Sequence, residues 1–309
     1  MQWNRIKNVF ILVFLLLNVY LLYQYNEKRE QADVPVLESH ESTIERQLEL
    51  EDITIAIDDL SDEDLKESYI SVNQTVFTDD EFDELSDIEG QKMMLVNKSF
   101  IISLFEKPLP IHSNDSNKYL EKLLEDEMPF PEEYEYWDWN KEANVIIYFQ
   151  KKKERSVYFN QNGVILVYLN DDNEAVFYTQ TMLGETEQKQ EEKTLIEPMT
   201  AIETLYNANE LKSGDSITNV NIGFHTRVPL EDGEQIFVPT WKVVVNEERD
   251  YFVNAIEGFI FAGDELEFIA DSINLYMERI EGIEDDKQVM KKFILEQLNE
   301  KLDIITGGE

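Results

Sequence analysis

Few side chains in this sequence are spaced to do covalent chemistry. Its three histidines, His40, His112 and His225, stand far apart, and it has no cysteine. A hydrolytic zinc site needs two histidines one helical turn apart with a glutamate between them, and a structural zinc site needs clustered Cys and His. Neither pattern occurs, and neither does the G-x-S-x-G nucleophile elbow or a glycine-rich phosphate loop. His225 closes a strand-like run with no visible acid or base partner, so it reads as a structural or surface residue. Carboxylates are abundant, but no acidic run has the spacing of a calcium loop with its central glycine. Asp171-Asp172-Asn173-Glu174 reads as a turn, and a pair such as Asp79/Asp80 is expected by chance in so acidic a chain. The residues point away from an enzyme; no catalytic residue, metal ligand or cofactor is expected.

The composition narrows the partners. The chain carries 27 Lys+Arg against 65 Asp+Glu, a net charge of −38. Such a field repels nucleic acid and anionic surfaces and is compatible with a neutral or cationic protein partner. With 42% hydrophobic and 11% aromatic residues, the chain is too apolar for a disordered acidic tail. No disulfide can hold it together.

The elements that would position any function begin with residues 9–25, VFILVFLLLNVYLLYQY. Extended back to Ile6, the run covers about 20 residues, enough to cross a hydrocarbon core of roughly 30 Å. No small-residue cleavage site follows it, so it reads as an uncleaved signal anchor. Arg5 and Lys7 balance Lys28 and Arg29. The amino terminus tips the orientation to a cytoplasmic N-terminus and an extracytoplasmic domain. Asn18 is the amide near the middle of the span. With Ile11, Phe14, Leu15, Leu21 and Leu22 on its face, it is a candidate contact for a partner helix; the alternative is a bond to the Phe14 carbonyl of its own helix.

Residues 1–30 thus read as tip and anchor, and 31–45 as a stalk. Residues 46–183 read as a first unit, 184–193 (GETEQKQEEK) as a linker and 194–309 as a second unit. Helical patterns cover 114–127 and 198–208. Each is followed by β-branched and aromatic runs, at 145–149, 156–159, 164–169 and 175–181, then at 217–225, 236–245 and 251–254. KKKER, NQNG and NDDN between the first set read as hairpin turns. Two further helices are expected at 264–277 and 286–305, the last with Val289, Phe293, Leu295, Leu298 and Leu302 as its apolar side. The expected fold is α+β: an N-terminal transmembrane helix, two similar units of a helix on an antiparallel meander, and C-terminal helices. Trp241 alternates with Val243 and Val245, so it is expected to face the core as a structural residue.

The opening Trp3-Asn4-Arg5-Ile6-Lys7, running into the apolar span and then Gln24-Tyr25 and Lys28-Arg29-Glu30, resembles the YycI family. That family consists of membrane-anchored regulators of the YycG/YycF cell-wall two-component system. The resemblance implies a non-enzymatic regulator that restrains the sensor histidine kinase YycG together with the related protein YycH, through membrane helices and the outer domain. It also leaves room for a second copy of the chain as partner. Separately, the run from Trp241 to Val245, then Tyr251 to Ala255, then Gly258, resembles the end of a PepSY-type unit, with Asn254 where that pattern has Asp. This second resemblance implies the alternative of a ligand-binding or protease-inhibiting module and carries no catalytic residue.

Overall fold

The computed structural model describes residues 40–57, 60, 65–86, 88–112, 117–188, 191–229, 234–282 and 288–307, with isolated helical positions between 7 and 21. The chain divides into two compact units, residues 1–51 and 52–309. The first contains helix α1 (His40–Leu50).

The second unit is built on strands. They are β1 (Thr54–Ile55), β2 (Lys66–Glu67), β3 (Ile70–Gln74), β4 (Gln91–Val96), β5 (Phe100–Pro110), β6 (Tyr134–Asn140), β7 (Val145–Lys152) and β8 (Arg155–Tyr158). Then come β9 (Val164–Leu169), β10 (Glu174–Thr181), β11 (Leu183–Gln188), β12 (Lys193–Thr194), β13 (Ser216–Pro229), β14 (Gln235–Val245), β15 (Arg249–Asn254) and β16 (Ile260–Phe261). The helices are α2 (Asp79–Leu85), α3 (Asn117–Glu127), α4 (Pro198–Asn207), α5 (Glu265–Glu281) and α6 (Gln288–Thr306).

Among the described residues, 14 strands join one sheet in the order β11-β3-β14-β13-β8-β7-β9-β10-β5-β4, with β1 beside β13, β15 beside β14, β16 beside β15 and β6 beside β7. Most pairs are antiparallel, but β13 is parallel to both β1 and β8. Strand β8 therefore couples two meanders: it closes a hairpin with β7 and lies beside β13.

Strands β7 and β9 show why the first meander is so apolar. Ile146 and Tyr148 belong to the core shared with α3, whose Leu120, Leu123 and Leu124 are buried. The Tyr148 hydroxyl donates to the Leu120 carbonyl at 2.8 Å. Val145, Ile147 and Phe149 belong to the opposite core, shared with Phe268, Ile269, Ile273 and Tyr276 of α5 and Ile294 and Leu298 of α6. A strand buried on both faces reads as a continuous apolar run, with no alternation to mark a solvent face. Phe100 stacks on Tyr276 with ring centroids 4.5 Å apart, tying α5 to β5.

Local chemistry sets several boundaries. Thr78 and Glu81 form a capping box at α2, and the Asp264 carboxylate accepts from the Glu267 N–H at 2.9 Å to cap α5. Three reversals use consecutive left-handed residues without glycine: Asn97-Lys98, Lys153-Glu154 and Asn246-Glu247. This double positive-φ turn matches the twist of the flanking strands.

The expected architecture needs correction on three counts. No helix among the described residues is long and apolar enough to cross a membrane, so the N-terminal transmembrane helix is not found. The longest ones, α5 and α6, with 17 and 19 residues, carry acidic and basic side chains along their length. The two similar units are not found either. Strands from both halves share one sheet, and the C-terminal helices pack on the first meander, because the apolar second face of β7 and β9 must be covered. Finally, NQNG (160–163) makes no hairpin: β8 pairs with β7 and β13, while β9 pairs with β7 and β10. In α6, Val289 is 87% exposed, and Ile294 with Leu298 forms its buried side.

Candidate functional site

The coupling of the two meanders creates a concentration of rings. Trp137 lies 5.0 Å from Phe149, 5.6 Å from Tyr158 and 6.1 Å from Phe252, centroid to centroid. Phe159 meets Phe252 at 5.3 Å and Phe268 at 5.4 Å. Close approach is enforced by two glycines. A Cβ on Gly223 would fall 2.4 Å from the Tyr158 ring, and one on Gly263 would fall 2.8 Å from Phe252.

Beside these rings opens a cavity of about 350 Å³. Its walls come from the NQNG loop, from His225 and Thr226 on β13, from Gln235 at the start of β14, and from 262–264 with the first turns of α5. Asn160 sits at its floor, only 4% exposed, in the Asx-type turn that NQNG forms. Its Oδ1 accepts from the Asn162 N–H at 3.0 Å, and its Nδ2 donates to Thr226 Oγ1 at 2.7 Å and Gln235 Oε1 at 2.6 Å. The rim is acidic, with Asp264, Glu267 and Asp271 all exposed.

His225 is held in the wall by ring contacts. Its ring stacks on Phe261 at 4.2 Å, and Nδ1 donates to the Thr226 carbonyl at 3.1 Å. Nε2 is buried without a partner in hydrogen-bond geometry. Burial pushes the His225 pKa below the usual histidine range, against the opposing pull of the Thr226 and Ala262 backbone. The ring is therefore neutral near pH 7 and has one proton already committed.

A second polar cluster flanks the rings. Lys242 Nζ lies 3.8 Å over the Trp137 ring and 3.2 Å from Asp250. Glu265 accepts from Trp137 Nε1 at 2.9 Å and from Asn140 Nδ2 at 2.7 Å. Burial raises the pKa of Glu135, Asp250 and Glu265; Lys151 and then Lys242 oppose it at Glu135, Lys242 opposes it at Asp250, and the Asn140 and Trp137 hydrogen bonds oppose it at Glu265. Elsewhere the balance reverses. Burial of Glu67 favours its neutral form, but hydrogen bonds from Lys153 and the Ser68 N–H, with the charges of Lys153 and Arg155, together hold its carboxyl below the usual range.

The residues singled out from sequence fall in different places. Ile11 and Leu22 lie outside the described residues. Phe14, Leu15, Asn18 and Leu21 are helical and exposed, within the first unit. Trp241 is 4% exposed and donates from Nε1 to the Ile196 carbonyl at 2.9 Å. Asn170 accepts the backbone N–H groups of Asp172 and Glu174, which makes NDDN a closed turn. Among the described residues, no group of three His, Cys, Asp or Glu could hold a metal ion. Sequence reasoning missed Asn160 and Gln235. The NQNG signal was visible, but it was read as a hairpin turn and not as a loop leaving one strand set for another.

A family model described as YycI protein matches residues 31–256. No curated protein matches the chain. Three solved structures are similar to it. An uncharacterized protein from Eubacterium rectale is 9% identical, with 69% of this chain and 89% of that one covered and a TM-score of 0.37. The YpeB C-terminal domain of Bacillus megaterium is 13% identical, with 62% and 87% covered and a TM-score of 0.33. YycH from Bacillus subtilis is 13% identical, with 62% and 53% covered and a TM-score of 0.35.

Proposed function

This chain belongs to the YycI family, a family of regulators of the YycG/YycF two-component system, and on that premise we propose that it restrains the sensor histidine kinase YycG by protein contact, in concert with YycH. The observation that carries the reading is the family match across residues 31–256, which takes in most of the folded second unit. The folded unit is the part we assign to the contact, and we place it outside the cytoplasm. A net charge of −38 and a lack of cysteine are compatible with that placement. The acidic surface favours a neutral or cationic partner face. Regulation by contact also suits a site whose histidine is neutral and already hydrogen-bonded.

The test is the phosphorylation level of YycF in cells with and without the chain. Restraint predicts higher YycF phosphorylation when the chain is removed and a return to the parental level when it is restored. Co-purification of YycG and YycH with the tagged chain should accompany the effect. Unchanged phosphorylation together with no recovery of either protein would remove the proposal.

A further inference from the structure

Strand β6 meets the second meander without a ladder. Its backbone pairs with β7, and among the described residues it shares no strand pairing with β14 or β15. Side chains make the joint instead. Trp137 of β6 lies 6.1 Å from Phe252 of β15, with Lys242 Nζ of β14 over its ring. Its Nε1 donates to Glu265 of α5 at 2.9 Å. Three carboxylates crowd this joint: the charge of Asp138 acts on both Asp250 and Glu265, and that of Asp250 acts on Glu265. Among the described residues, Lys242 is the cation that faces them, 3.2 Å from Asp250. Glu135 of β6 is attracted by Lys151 of β7 and by Lys242. Asp250, Glu265 and Lys242 are half-buried, so water and salt screen the repulsion less than on an open surface.

We propose that this joint is a pH-responsive clasp: when Asp250 and Glu265 are both ionised, the Trp137 face of β6 parts from β15 and α5, while β6 stays on β7. Burial and neighbouring negative charge raise the pKa of Asp250 and Glu265 above the ordinary 3.8 and 4.5. A group with a raised folded value contributes stability below its unfolded value and loses it as pH rises through the folded one. The clasp is therefore shut in acid and loosens toward neutrality. A proton on Glu265 removes neither of its bonds, since a neutral carboxyl still accepts from Trp137 and Asn140. The Tyr136 and Tyr158 hydroxyls face the same charges and are held protonated by burial. The opening is local, because no ladder hydrogen bond has to break. It uncovers Phe252 and Tyr158, which are 1% and 4% exposed in the closed form. An aromatic surface shown on one side of a pH threshold is a contact that a partner can read. The clasp works within the folded unit and does not depend on the kinase.

The experiment uses the full chain and follows hydrogen exchange at the indole N–H groups by NMR between pH 4.5 and neutrality. Trp137 Nε1 reports the clasp through its bond to Glu265. Trp139, bonded to Asn144, and Trp241, bonded to Ile196, are references in parts that stay folded. Relative to free tryptophan at each pH, protection at Trp137 should fall by about tenfold toward neutrality, the linkage of one proton over one pH unit, while both references keep theirs. Asp250→Asn and Glu265→Gln should each flatten the fall. Asp138→Asn, which alters only an exposed side chain, should reduce it. If either half-buried variant fails to fold, the exposed one decides. Constant protection at Trp137, a fall shared equally by all three indoles, or a fall as steep in the folded variants as in the parent overturns the proposal.

Discussion

The two meanders use similar local chemistry and end in different environments. The one formed by β4, β5, β10, β9, β7 and β6 lies between α3 on one side and α5 with α6 on the other. Every residue of β9 is buried. In the other, α4 packs against β14 and β15, and burial along the end of β14 alternates: Trp241, Val243 and Val245 are buried, Lys242 and Val244 half-buried. The difference teaches that β-branched richness reports a strand, whereas the presence or absence of alternation reports how many layers cover it.

The sharpest way to break this comparison is to remove volume from each meander. Phe149 touches Trp137, Tyr158, Phe159 and Phe268. Phe149→Ala should cost about 3–5 kcal/mol, and Trp241→Ala a similar amount on the covered face of the other meander. Val244→Ala should cost only about 1 kcal/mol. Urea unfolding gives all three, and equal costs for Phe149 and Val244 would erase the distinction between double and single cover.

Next in size is the coupling of the meanders. Gly223→Ala places a methyl group inside the ring of Tyr158, which is itself 4% exposed and cannot swing away. A loss of about 1–3 kcal/mol is expected in the same assay. A variant as stable as the parent would mean that β8 and β13 can separate without cost.

The third test uses pH. Glu265 has a raised pKa because of its burial, so the folded protein holds its proton more tightly than the unfolded chain. That contribution is fully present below the unfolded value of 4.5 and is lost as pH rises through the folded value. Glu67 is the opposite case: its value is lowered, so its contribution is present above 4.5 and is lost as pH falls through the folded value. Glu265→Gln should therefore gain stability relative to the parent between pH 4.5 and neutrality, measured by unfolding midpoints at the two ends. A gap that shrinks with rising pH contradicts the assignment. The smallest effect is expected at the β7–β8 turn, where Glu154 has a φ of 59°. Glu154→Gly should stabilise by up to about 1 kcal/mol in thermal unfolding, since glycine adopts that conformation without steric cost.

Much of the element order was legible because its signals are local. The apolar runs at 145–149 and 164–169 are strands, and the helices at 198–208 and 264–277 are present as α4 and most of α5. Strands β4 and β5 had no counterpart in the sequence reading. MMLV and FIISLF are short apolar runs that periodicity cannot assign, and Pro108 and Pro110 obscure the end of β5. The return of α5 onto β5 was illegible for a different reason: it rests on contacts such as Phe100 with Tyr276, which no spacing rule connects. The cavity was illegible because Asn160 and Gln235 meet only when β8 and β14 are placed on either side of β13.

The last helices have a temporal consequence. A ribosome releases β5, β7 and β9 long before it releases Ile273, Tyr276, Ile294 and Leu298, which cover their second face. Until then that face stays open, in a topology dominated by distant pairings that form slowly. The nascent first meander is thus a half-finished surface for most of its synthesis. The acidic charge on the rest of the chain is then an advantage to the growing polypeptide as well as to the finished one, because like-charged chains keep apart while that apolar face waits for its cover.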